Sequence, residues 1–304
     1  MDPASGYTAM NTNLGKVRNR GVELLVNVTP VKTRDFQWDL TWNFTKNNNK
    51  VLSLPEELGG EASIYGFEGG TGLYAIEGEE LGIFKAYTAK KDDEGHVIVN
   101  DLGVPIASDD LEVIGSMNHK YQMGFGTTLK YKGISLAVNF DYRKGGLMFS
   151  RTKDIQYFTG NAIQTAYNGR NPWVVPNSVM QVEAEDGSVS YVANNIALTP
   201  TQIYNYWETG GTEKDAAFLV DKTYLKLRNV VLTWDLPKKW LDKTFLTGVS
   251  LSFFGNNLWI WTPKSNTFID PETTSFGNDL EGYFGEYSTN PSSRKFGFNL
   301  NVKF

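Results

Sequence analysis

Hydrophobic and polar positions alternate with a period of two in several long stretches of this chain. The first opens at residue 22, where Val22, Leu24, Val26 and Val28 fall on one face of an extended strand. After a polar turn over residues 30–35 the alternation resumes: Trp38, Leu40, Trp42 and Phe44 are opposed by Gln37, Asp39, Thr41, Asn43 and Thr45. Two long strands joined by a turn predict a hairpin. A second hairpin follows. Met123, Phe125, Thr127, Leu129 and Tyr131 alternate with Gly124, Gly126, Thr128, Lys130 and Lys132. Gly133 makes the turn, with Lys132 beside it. Ile134, Leu136, Val138, Phe140 and Tyr142 then alternate with Ser135, Ala137, Asn139, Asp141 and Arg143. Further along, Val230, Leu232, Trp234 and Leu236 form one row, and Val249, Leu251 and Phe253 another. The chain ends in KFGFNLNVKF, with Phe296, Phe298, Leu300, Val302 and Phe304 on one face.

These rows predict seven long strands, at about 20–30, 35–47, 121–132, 134–145, 222–236, 246–260 and 293–304. Between them lie irregular excursions over residues 52–118, 146–220 and 255–291, rich in Gly, Asn and aromatics. In the second, Thr199 or Thr201 is placed to cap a short helix, with Pro200 early in it. The turns at one end of the strands are short and the connections at the other end are long. That asymmetry is a signature of outer-membrane barrels, whose periplasmic turns are short and external loops long. In the competing reading the apolar rows face a dry core between two soluble sheets.

Composition narrows the function classes. The chain has 304 residues, no Cys and two His, His96 and His119. Disulfides, thiolate nucleophiles and Cys- or His-rich metal sites are thereby excluded. A formal charge of -5 gives no reason to expect nucleic acid. Residues 1–20 lack the apolar stretch of a signal peptide. No run of about 18 apolar residues predicts a transmembrane helix; barrel strands escape that test. No catalytic constellation emerges. Asp92 with Asp93, and Asp109 with Asp110, sit in turn-like segments, and the run GGTG at 69–72 lacks the Lys-Ser/Thr of a phosphate loop. The chain is not read as an enzyme.

Four stretches carry a resemblance to a known family. NLGKVRNRGVELL holds Asn13, Gly15, Asn19, Gly21 and Glu23; YLKLRNVVLTWDLPKKWL spans 224–241; LSFFGNNLWIWTPKSNTFIDPE spans 251–272; and SSRKFGFNLNVKF closes the chain. In order and spacing these resemble the C-terminal part of the SusC/RagA family of TonB-dependent outer-membrane transporters. The resemblance spans nearly the whole chain. It implies an all-β fold: residues 1–304 are the C-terminal strands of an antiparallel transmembrane barrel of about 22 strands, with long extracellular loops and the plug domain absent. It further implies outer-membrane import of oligosaccharides or peptides in a Gram-negative bacterium of the Bacteroidota. Partners would be a SusD-like surface lipoprotein, the TonB complex acting through the plug portion, and outer-membrane lipid. The alternative is a soluble or surface glycan-binding module without transport. No cofactor is expected.

Several residues follow as site expectations. Sugars stack on aromatic rings, which makes the loop residues Trp173, Tyr204, Tyr206, Trp207, Tyr283, Phe284 and Tyr287 candidates for substrate contact, with loop packing as the other reading. Trp259 and Trp261, near a strand end, suit a membrane-interface girdle or loop packing. Phe296, Phe298 and the terminal Phe304 are assigned to barrel assembly and closure, because an open sheet edge is not tolerated in lipid. Finally, the stretch 99–115 resembles a degenerate form of an Asp-rich calcium loop found in relatives. Ile106, Asp110, Ile114 and Gly115 match, whereas Val99, Gly103 and Ala107 replace acidic positions. Calcium wants six to eight oxygens, so Asp101, Asp109 and Asp110 are weak candidates against a plain polar loop.

Overall fold

The computed structural model describes residues 15–66, 71–266, 268–275 and 281–304. Asn13 of the first motif, and Gly69 and Gly70 of the GGTG run, lie outside them. Seven strands form one sheet: β1 (Lys16–Lys32), β2 (Phe36–Ser53), β3 (Tyr121–Tyr131), β4 (Ile134–Lys144), β5 (Tyr224–Asp235), β6 (Gly248–Trp261) and β7 (Lys295–Lys303). They lie side by side in chain order, each antiparallel to the next. These are the seven strands expected from the alternation; β1 and β2 run several residues longer than their apolar rows.

Residues opposite one another in an antiparallel pair share a face. The register therefore joins the apolar rows of separate strands into bands that cross the sheet. Val26 opposes Trp42, Trp42 opposes Phe125, Phe125 opposes Phe140, Phe140 opposes Leu227, and Leu227 opposes Trp259. A neighbouring band runs from Leu129 through Leu136, Leu232 and Phe253 to Phe298. Thr127 is the polar member of its row, and its hydroxyl accepts the indole N–H of Trp38 at 2.9 Å. A tryptophan on an apolar face needs an acceptor for that N–H.

The opposite face is polar and internally bonded. Thr41 donates to Asn27 at 2.8 Å, Asn139 to Asn229 at 2.8 Å, and Thr233 pairs with Ser252 at 2.8 Å. Asp39 accepts from Thr29, Gln37 and Lys130. Gly124 and Gly126 give this face its room. A Cβ at Gly124 would stand 2.5 Å from the Asn43 amide nitrogen, and one at Gly126 would stand 2.6 Å from the Asn139 amide oxygen.

Among the described residues no second layer closes over the apolar face. Phe125 is 42% exposed, Phe253 55% and Phe298 70%. The buried apolar clusters found among the described residues contain none of the residues of these bands. Among the described residues β1 pairs only with β2 and β7 only with β6, so the sheet is open at both edges.

Two of the three connections at one end are tight, and the third, residues 236–247 between β5 and β6, carries a short helix (Lys238–Leu241). Lys132 (φ 46°) and Gly133 (φ 82°) both adopt positive φ between β3 and β4, the geometry of a two-residue hairpin turn whose twist matches the strands. The other end carries the three excursions. They fold into small sheets of their own. Glu61–Gly66, Gly72–Ile76, Ile83–Ala86 and Glu112–Ser116 make one. Leu147–Ser150 lies between Leu219–Asp221 and Gly285–Glu286, and Ser178–Glu183 lies between Val97–Val99 and Val189–Ala193. The short strands within residues 83–100 join these loop sheets, so they supply no eighth strand to the large one. Two helices, α1 (Arg151–Phe158) and α2 (Pro200–Glu208), complete the loop layer. Thr199 caps α2, its backbone N–H donating to Gln202 at 3.1 Å. Among the described residues no helix is long and apolar enough to cross a membrane, which says nothing of strands.

Candidate functional site

The large sheet and the loop layer meet at the loop end of the polar face. Here β5 carries an irregularity: Leu227 and Asn229 are both in register with their neighbours, and Arg228 between them is not. A bulge adds one residue and re-aims its neighbours. Before it Leu225 and Leu227 lie on the apolar face; after it Val230, Leu232 and Trp234 do. The inserted Arg228 reaches the polar side together with Lys226.

These two cations hold the 262–275 segment to the wall. Lys226 is 5% exposed, and its ammonium donates to both carboxylate oxygens of Asp270 at 2.7 Å and also to Glu272. Arg228 donates to Glu272 at 2.6 Å and to Asp141 of β4 at 3.2 Å. The hydroxyl of the wholly buried Tyr224 lies 2.8 Å from a Glu272 oxygen and 3.0 Å from an Asp141 oxygen, with one proton to share between them. The DPE run at 270–272 is thus a clamp against β5. Burial alone would raise the Glu272 carboxyl, but hydrogen bonds from Arg228 and Lys226 outweigh it and hold it at about 2, from an ordinary 4.5. A carboxyl depressed on folding stabilises above its unfolded value, and that stabilisation is lost as pH falls through the folded value. The clamp is therefore expected to loosen between about pH 4.5 and 2. Pepsin cleavage within 262–275 should rise across that window and change less in Glu272→Gln. Equal cleavage of the wild type at both ends of the window would refute this.

The aromatic candidates divide by burial. Trp173, Tyr206 and Trp207 form one packed group, with Trp173 and Tyr206 edge to face at 4.9 Å and Tyr206 and Trp207 at 4.8 Å. Trp173 and Tyr206 are buried there with Val175, Leu198 and Ile203. Phe284 is wholly buried, stacked on Phe149 at 5.1 Å. Tyr204, Tyr283 and Tyr287 remain exposed. Tyr204 and Trp207 line a hollow of about 320 Å³ beside α1 and α2, and Tyr283 lines a larger cavity near β4. Trp259 and Trp261 stand on the apolar face at its loop end, opposite Leu227 and Leu225.

Asp101, Asp109 and Asp110 are exposed and not gathered into a site. Asp109 pairs with Lys90 at 2.7 Å. The turn that holds Asp101 is closed by Asn100, whose side chain accepts the N–H groups of Leu102 and Val104 at 3.0 Å each. Among the described residues no group of three or more His, Asp or Glu is placed to hold a metal ion. At the chain end, Phe296 and Phe298 extend the apolar bands on β7, opposite Gly255 and Phe253. Phe304 stacks on Phe245 at 5.8 Å, and Thr247 donates to the Phe304 carbonyl at 3.2 Å. The last residue is thereby tied to the β5–β6 turn, which opposes fraying.

Comparison with known proteins agrees with this architecture. No protein-family model matches the chain. TonB-dependent receptor P3 of Formosa agariphila is 26% identical over 326 residues, covering 99% of this chain and 30% of that protein. TonB-dependent receptor SusC of Bacteroides thetaiotaomicron is 29% identical over 147 residues, covering 44% of this chain and 14% of that one. The chain is homologous to TonB-dependent receptors. It spans 30% of the length of the first of these relatives. Both organisms are Bacteroidota, and such receptors are outer-membrane transporters, not enzymes. Among solved structures, the RagAB peptide transporter superposes on 100% of this chain and 31% of its own, with a TM-score of 0.65 at 19% identity. The RagAB peptide importer in its closed-closed state superposes with a TM-score of 0.66 at 18% identity. These likenesses establish the fold.

Proposed function

We propose that residues 15–304 form a section of the wall of a TonB-dependent outer-membrane barrel that imports oligosaccharides or peptides. The apolar face of the large sheet meets lipid, the polar face lines the lumen, and the loop layer stands outside the cell. The observation that carries this reading is the uncovered apolar face, continuous across seven strands and backed by a face of amides, hydroxyls and charges. A soluble glycan-binding module would need that face covered.

The dimensions support it. Along β5, nine steps separate Leu225 from Trp234. At about 3.3 Å per residue and a tilt near 40° they rise about 23 Å, against an apolar band of about 25 Å in barrels of this kind. Aromatics flank the band at both ends: Trp259, Trp261 and Tyr142 toward the loops, and Tyr131, Trp234 and Trp240 toward the turns. Rings with an apolar body and a polar tip favour the headgroup level. The open edges of β1 and β7 would be paired by strands of the remaining barrel, since unpaired backbone is costly in lipid. In the whole transporter, a SusD-like lipoprotein would cover the loop layer, and TonB would act through a plug.

The absence of cysteine makes a direct test possible. Single cysteines at Ala137 and Val138, neighbours at one depth on opposite faces, are introduced into the intact protein in cells. A membrane-impermeant maleimide is expected to label Ala137→Cys and spare Val138→Cys, with a lipid-soluble reagent giving the reverse. Equal labelling by the polar reagent, with the protein in the soluble fraction, would overturn the assignment.

A further inference from the structure

A cavity of about 570 Å³ opens at the loop end of the polar face, beside the clamp. Lys222, Arg143 and His119 line it, with Tyr283 and Asn49. Lys222 is only 7% exposed, and its backbone is held by a 2.8 Å bond from its N–H to the Gly146 carbonyl. Its ammonium has no hydrogen-bond or ion-pair acceptor among the described residues; the ring of Tyr283 lies 5.8 Å away. Arg143 is likewise without an anionic partner among the described residues. Its Nε is buried and unbonded, and its guanidinium rests 5.2 Å from the centre of the Tyr224 ring. Among the described residues the carboxylate that lines the cavity is Glu272, and both of its oxygens are engaged by Tyr224, Lys226 and Arg228.

An unpaired buried cation is costly, and a second one beside it more so. The strain is visible in the protonation equilibria. Burial, and then the charge of Arg143, bring Lys222 down to about 8. Burial, followed by Arg143 and Lys222, lowers His119 as well. The neighbouring Lys226 and Arg228 are fully paired. The unpaired charge at this cavity therefore contrasts with the paired cations of the adjacent clamp.

We propose that Lys222 and Arg143 bind a carboxylate group of a solute entering the lumen. An oxyanion between them would accept from the Lys222 ammonium and the Arg143 guanidinium. A planar carboxylate presents one oxygen to each of the two side chains. Tyr283, with its ring beside Lys222, offers a flat surface to the residue that bears the carboxylate. Two sources share this chemistry: the C-terminus of a peptide and the acid group of a uronic sugar. The inference rests on the polar face lining a solute path.

The test compares matched probes on the intact protein in detergent by isothermal titration. One pair is acetyl-trialanine with a free C-terminus against its C-terminal amide. The other is a glucuronate-bearing disaccharide against its neutral counterpart. The carboxylate member of one pair is expected to bind about tenfold more tightly than its neutral match, as one charge-assisted hydrogen bond implies. Which pair discriminates identifies the source. Lys222→Met should abolish the discrimination and Lys222→Arg should keep most of it. If neither pair discriminates in the wild type, or if folded Lys222→Met discriminates fully, the proposal is overturned. The wild-type comparison stands even where a variant does not fold. Membrane placement is read separately by cysteine labelling, so failure of the transport reading is distinguishable from failure of this site.

Discussion

Val138→Arg is expected to destabilise the protein in lipid by about 2–4 kcal/mol, while Ala137→Arg, one residue earlier, costs far less. Val138 lies midway along β4, between Ile134 at the turn end and Tyr142 at the loop end. It stands opposite Thr127 on one side and Val230 on the other, within the apolar bands. At that depth a guanidinium on the lipid face has no water within easy reach. Ala137 is on the other face, opposite Thr128 and Val231, which in the proposed barrel would let a long cationic side chain extend into an aqueous lumen. Urea unfolding of the protein in vesicles gives both values. A larger cost at Ala137 would mean that the faces have been assigned the wrong way round.

The second large effect is expected at the clamp. Lys226→Met should cost about 3–5 kcal/mol, because it leaves the carboxylate of Asp270 buried without its partner. Both side chains are well shielded, at 6% and 9% exposure, so solvent screening gives little relief. Adding Asp270→Leu should restore most of the loss, since replacing both members of a buried pair by apolar groups is often nearly neutral. Glu272 keeps Arg228 and Tyr224 in the double variant. The damage should be local: faster proteolysis of residues 262–275, with the large sheet unchanged in far-ultraviolet circular dichroism. A Lys226→Met protein that resists protease like the wild type would show that the segment is held by its apolar contacts instead.

How much of this was legible beforehand depended on range. The strands were, because alternation is a local property and each strand of this sheet has one apolar and one polar face. The hairpin turn at Lys132 and Gly133 and the capped helix after Thr199 were legible for the same reason. The bulge at Arg228 was not. An inserted residue shifts the alternation of β5, and in one strand that shift reads as noise until the register with β4 confirms it. The pairing of Lys226 with Asp270, 44 residues apart, had no signal beyond the motif that contained them. Residue type also failed to separate the loop aromatics: Phe284 and Tyr283 are adjacent, yet one is sealed in a core and the other faces a cavity.

Periodicity alone, then, settled that long two-faced strands would form, where they would turn, and that the excursions would gather at one end. Which residues of those excursions touch the wall, and which charges are left without partners there, emerged once the chain was folded. Side-chain direction repeats every two residues and can be counted along a strand. Neutralisation of Lys226 and its absence at Lys222 depend on carboxylates brought in from distant segments, and no local pattern encodes that distance.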